Sequence, residues 1–181
     1  MPRISFPRLA AITCTLALAC CVPPPPQPLP PPAQRPAPAP APAPVVQQPV
    51  YKSWIDAPQT AGDWSYRSTA SESFAQFASG NGQPLLALTC NRGNRTVVLA
   101  RAGTAARDVP MRVLTETAER LLSATPGDGG VAWLSASFRA TDPLLDAMAL
   151  TRGRFAVETA GLETLYVPAW AEVTRVIEDC R

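Results

Sequence analysis

Apolar and polar side chains alternate most cleanly over residues 131–140, where Ala132, Leu134, Ala136 and Phe138 fall on one face and Ser135, Ser137 and Arg139 on the other. That two-residue period predicts a half-buried β-strand. The period recurs, less regularly, at 64–68 behind Gly62-Asp63 and at 111–116, where Met111 and Val113 share a face. Residues 120–124, with Leu121 and Leu122, form another short strand-like segment. Residues 85–90 are nearly all apolar, as expected of a strand covered on both sides. Asn91-Arg92-Gly93-Asn94 then supplies a hairpin turn into a strand at 96–100. Gly80-Asn81-Gly82 and Gly127-Asp128-Gly129-Gly130 mark further turns. Residues 71–78 fit two periods: Phe74 and Phe77 stand three apart, which suits a helical turn as well as a bulged strand. Trp54 and Ile55 are expected to pack where the chain enters the domain.

The ending changes period. Asp142-Pro143 predicts a helix start, with Asp as the cap and Pro in the first turn. Leu144, Leu145 and Met148 give it an apolar face, and Gly153 a stop. Residues 155–158 and 165–167 are expected to pair as a hairpin through Ala160-Gly161. Pro168 then opens a last helix with Trp170, Val173, Val176, Ile177 and Cys180 on one stripe. These elements predict a mainly β domain: an antiparallel β-sandwich or bent sheet of about eight strands with two short C-terminal helices. No helix-length segment separates the first strands, which argues against a parallel α/β sheet.

Ahead of this domain the pattern disappears. Residues 22–49 hold 14 of the 22 prolines, including Pro23-Pro24-Pro25-Pro26 and an Ala-Pro alternation from 36 to 44. Proline lacks the backbone donor and fixes φ, so this tail favours polyproline II, reaching about 85 Å at about 3.1 Å per residue. It suits a spacer; the alternative is a docking motif, since the run contains the PxxP spacing. Further upstream, Arg3 and Arg8 precede an uncharged apolar run at 9–19, too short to span a bilayer. Leu16-Ala17-Leu18-Ala19-Cys20 resembles a bacterial lipobox, in which the cysteine thiol is acylated and becomes the new N-terminus. The expected organisation is a lipoprotein signal peptide at 1–19, a lipidated flexible linker at 20–49 and one β-rich domain at 50–181. Plain secretion with cleavage at the same bond is the alternative.

Composition then narrows the partners. The net charge of +2 is carried by the leader and tail, because residues 50–181 hold 13 basic and 14 acidic side chains. A near-neutral domain gives no electrostatic reason to bind nucleic acid. Of the five cysteines, Cys14 leaves with the signal, Cys20 takes the lipid and Cys21 stands beside it. Cys90 and Cys180 remain in the domain; they either pair as a disulfide, as an oxidising compartment favours, or stay as buried thiols.

Chemistry is mostly missing. The chain has no histidine, which removes the usual general base and the commonest metal ligand. Two distant cysteines cannot make a zinc site, and Lys52, the only lysine, has no Ser-x-x-Lys setting. Glu178 and Asp179 are adjacent on a helix and point about 100° apart. The 127–130 glycine turn precedes a strand and lacks a P-loop lysine. No catalytic residue, metal or cofactor is therefore expected. Arg152 and Arg154, flanking Gly153 at a helix end, are candidates to grip a carboxylate or phosphate bidentately. The alternative is that they satisfy the helix's last carbonyls or pair with Glu158, Glu178 or Asp179. Trp64, Trp133 and Trp170 are expected in the core.

From Gly62-Asp63-Trp64 through the 142–153 helix, the 155–167 hairpin and the final helix, the domain resembles small exported lipoproteins of alphaproteobacteria. Its layout is also similar to the invasion-associated locus B family of small secreted β-sandwiches with a late helix, a short hairpin and a closing helix. The resemblance implies no catalytic residue. Cys21 after the acylated position, in place of Asp, resembles lipoproteins sent to the inner leaflet of the outer membrane. The expected function is a membrane-tethered periplasmic binding or structural module with an envelope-protein or cell-wall partner. The alternatives are a secreted invasion-associated-type effector, or a hydrolase with an atypical Asp, Glu or Ser site.

Overall fold

The alternating segments pair into one antiparallel sheet in the computed structural model, which describes residues 51–127, 129 and 132–181. The signal segment, Cys20, Cys21 and the proline-rich tail fall outside the described residues, as do Asp128 and Gly130 of the predicted turn. The strands are β1 (Asp63–Ser68), β2 (Glu72–Ala78), β3 (Pro84–Asn91), β4 (Thr96–Ala102), β5 (Val109–Leu114), β6 (Glu119–Pro126), β7 (Trp133–Arg139), β8 (Arg154–Thr159) and β9 (Leu165–Pro168). Their order is β1-β2-β3-β4-β7-β6-β5-β8-β9. Helix α1 (Pro143–Leu150) follows β7, and α2 (Ala171–Asp179) closes the chain. The architecture is thus a single curled sheet with two helices.

Register explains the core. One row of side chains across the sheet runs Trp64, Phe77, Leu86, Arg101, Leu134, and the next runs Tyr66, Ala75, Leu88, Leu99, Ala136. A third runs Ser73, Cys90, Val97, Phe138. All but Tyr66 are buried, because every second residue of each strand points to the same face. Helix α2 lays Val173, Val176 and Ile177 against β1, β2 and β3, and Cys180 bonds to Cys90 across a Cα separation of 5.5 Å. Helix α1 begins as the sequence implies, with the Asp142 carboxylate accepting from the Leu144 amide at 2.9 Å and Pro143 in the first turn.

The outer strands of the sheet meet. The Thr60 amide donates to the Tyr166 carbonyl and the Tyr166 amide to the Thr60 hydroxyl, both at 2.9 Å. The Trp64 indole donates to the Pro168 carbonyl at 2.8 Å. These three bonds satisfy groups that an open edge would leave for another chain.

One open reading is settled and three sequence expectations are corrected. Of the two periods that fit 71–78 the bulged strand holds: β2 shifts register between Phe77 and Ala78, Ser73, Ala75 and Phe77 point inward, and Phe74 faces out beneath the Arg67 guanidinium, 5.1 Å from its ring. The last helix starts at Ala171, because Pro168 is held in β9 opposite Arg154 and receives the Trp64 indole. Trp170 consequently caps α2 outside the buried stripe and is 43 % exposed, and Trp133 is half-buried; only Trp64 of the three is fully in the core. At the start of the domain Ile55 is exposed and Trp54 half-buried, and the residue that packs is Ala57.

A polar latch reinforces α2. The Tyr66 hydroxyl donates to Asp179 at 2.5 Å, and Arg92 pairs with the other Asp179 oxygen at 3.0 Å. Burial alone would push the Asp179 carboxyl up, but the Tyr66 bond and the Arg92 charge outweigh it and hold the group below the ordinary aspartate value. A carboxylate with a lowered folded value stabilises the fold above its unfolded value and loses that contribution as pH falls through the folded one. Stability should therefore decline below about pH 4, and Asp179→Asn should flatten that part of a urea-midpoint-against-pH curve. An unchanged acid limb in Asp179→Asn would show that the latch does not couple to folding.

Candidate cavity at the sheet closure

A cavity of about 300 Å³ opens where the two ends of the sheet meet. Its walls come from three places: the segment leading into β1 (Tyr51, Gln59, Thr60), the start of β3 (Leu85), and the β8–β9 connection with β9 (Glu163, Tyr166). Arg101, at the end of β4, lies on its floor. Val97, Leu99 and Arg101 stand two apart on one strand, so the arginine is turned to the same inward face as its apolar neighbours.

Arg101 is 7 % exposed. Its Nη1 donates to the carbonyls of Ala102 at 2.7 Å and Leu85 at 3.2 Å, and Nη2 reaches the Glu163 carbonyl at 3.4 Å. The Nε–H has no partner. Burial lowers the guanidinium's pKa from its ordinary value, and the nearby Glu163 carboxylate works in the opposite direction. Leaving a buried donor unpaired costs about 1–3 kcal/mol, more for a charged group, so this arrangement is strained in favour of an acceptor. At the mouth, the rings of Tyr51 and Tyr166 meet edge to face with centroids 6.4 Å apart. Burial, followed by the Glu158 charge and Tyr51, raises the pKa of the Tyr166 phenol, against a smaller lowering by its hydrogen bond to Thr164.

The residues singled out from sequence go elsewhere. Arg154 donates to the carbonyls of Ala57 at 2.6 Å and Ile55 at 3.1 Å, and so fastens the incoming segment. The Arg152 side chain is 91 % exposed and lies 3.9 Å from Glu116. The two arginines do not form one grip, and neither takes the alternative acidic partners. Glu158 pairs with Arg112, Asp179 with Arg92 and Glu178 with Arg181. Gly153 separates them in a left-handed conformation, φ 75°, which turns Arg154 into β8 and leaves Arg152 in solvent. Cys90 and Cys180 form a disulfide remote from the cavity row in β3. Among the described residues no cluster of three or more His, Cys, Asp or Glu could hold a metal, and no helix is long and apolar enough to cross a membrane.

Fold and site together define a class: a disulfide-pinned, curled antiparallel sheet with a small cavity floored by a buried arginine. The chain matches no protein-family model, no curated protein and no solved structure.

Proposed function

We propose that the protein is a non-catalytic binding or structural module of the cell envelope. A lipid on Cys20 holds it at the periplasmic face of the outer membrane, with residues 20–49 as the spacer. The observation that carries the binding role is Arg101, a buried cation that lines a formed cavity and whose Nε–H has no partner. Cavities of this size, with apolar walls and a few convergent polar groups, are the usual form of a small-ligand site. The tether rests on the cysteine after Ala17-x-Ala19 and on the proline spacer.

The two halves are tested separately. Cys20→Ser should abolish membrane fractionation, because a hydroxyl does not replace the thiol in acyl transfer; a Ser variant that sediments with membranes like the wild type rules out the tether. A photo-crosslinking side chain at Gln59, on the cavity wall, should give a discrete adduct in intact cells. The same side chain at Arg139, exposed at the far end of β7, should not. Equal yields at both positions would rule out the cavity as the binding site.

A further inference from the structure

We infer that the Arg101 cavity binds a small zwitterion with a free α-carboxylate, an amino acid or a short peptide end. The inference rests on the binding role proposed above and names its ligand class. Nε and Nη2 lie on one edge of the guanidinium, and this edge is the part that a carboxylate engages with two parallel bonds. In Arg101 it is also the unused part: Nη1 is committed to two carbonyls, Nε has no partner, and Nη2 has only a 3.4 Å bond to the Glu163 carbonyl. Nε is closed off in this structure, so a ligand carboxylate reaches it by displacing the Glu163 carbonyl from Nη2, and then gives Nε its acceptor.

Glu163 decides the rest of the ligand. It lines the same cavity and its carboxylate lies within Coulombic reach of Arg101, yet no ion pair joins them. A compact anion entering between them gains from the arginine and is repelled by the glutamate. A ligand carrying its own ammonium beside the carboxylate meets a complementary charge at each end. The cavity of about 300 Å³ admits something the size of an amino acid or dipeptide, and Tyr51, Leu85 and Tyr166 offer apolar surface to its body. The Thr60 and Thr164 side chains are at hand for the peptide groups.

The test uses the full lipidated chain in detergent and calorimetric titration with alanyl-alanine, its C-terminal amide, its N-acetyl derivative and inorganic phosphate. Alanyl-alanine should bind saturably, the amide about tenfold or more weakly because the charged bonds to Arg101 are lost. The N-acetyl form should also bind more weakly, and Glu163→Gln, an exposed site whose change leaves the core intact, should remove that difference. Arg101→Lys, which keeps the charge and loses the fork, should weaken dipeptide binding about tenfold or more. If that variant does not fold, the acid-against-amide comparison on the wild type and Glu163→Gln carries the test. Absence of saturable dipeptide binding, equal affinity for acid and amide, or displacement of the dipeptide by phosphate would overturn the inference. A Gln59 adduct in cells without dipeptide binding would sink the ligand class and leave the binding role standing. Retention of the protein on isolated peptidoglycan, competed by alanyl-alanine, would assign the cell wall as the source; dipeptide binding without retention would assign a soluble one.

Discussion

Replacing Cys90 and Cys180 together by alanine should lower the stability of the domain by about 2–5 kcal/mol, the range for native disulfides that close long loops. The bond links residues 90 apart, and it joins a central strand to the last helical turn. Without it α2 keeps its Val173, Val176 and Ile177 contacts and the Tyr66–Asp179–Arg92 latch, but its end is free to fray as chain ends do. Urea unfolding of the oxidised wild type, the reduced wild type and the double variant should place the last two together, well below the first. Hydrogen exchange should show amides of residues 171–179 losing protection before those of β3 and β4. A double variant with the wild-type urea midpoint would mean that packing alone holds the helix.

The fold was legible wherever one physical period dominated. Leu134, Ala136 and Phe138 are buried as the alternation at 131–140 requires, and Leu144, Leu145 and Met148 form the inner face of α1. Reading failed where tertiary bonding overrode local preference. Pro168 is a good first residue for a helix, yet the Trp64 indole and the Arg154 pairing hold it in a strand 104 residues away in sequence from that indole. Phe74 and Phe77 are equally apolar, and only the partner strands decide that one faces the core and the other an arginine.

The site was missed for a related reason. Arg152 and Arg154 attract attention because they are close in sequence, but a left-handed glycine sends them to different neighbourhoods. Arg101 stands at the end of an apolar strand, where a charged residue looks like the strand's solvent-facing stop. Its spacing from Val97 and Leu99 is the signal that places it inward. What no local pattern encodes is the cavity itself, whose walls come from residues as far apart as Tyr51 and Tyr166.

That dependence on distant segments makes Trp64 the residue on which both fold and cavity turn. It is 8 % exposed, packs on Phe77 with centroids 5.5 Å apart, and its indole reaches the Pro168 carbonyl of the opposite outer strand. The neighbouring Gly62 leaves no slack there, since a Cβ would stand 2.4 Å from the Ala78 carbonyl oxygen. Trp64→Ala removes a buried aromatic and should cost about 3–5 kcal/mol. Trp64→Phe keeps most of the packing but strips the Pro168 carbonyl of its donor, and should cost about 1–3 kcal/mol. The two variants differ in what they say about closure. If the indole bond helps hold the sheet ends together, Trp64→Phe should speed exchange of the Thr60 and Tyr166 amides, which bond across the same seam. It should also weaken dipeptide binding, because Thr60 and Tyr166, joined across that seam, both line the cavity. Unchanged exchange at both amides, with stability reduced, would confine Trp64 to the core and leave the closure to the Thr60–Tyr166 bonds alone.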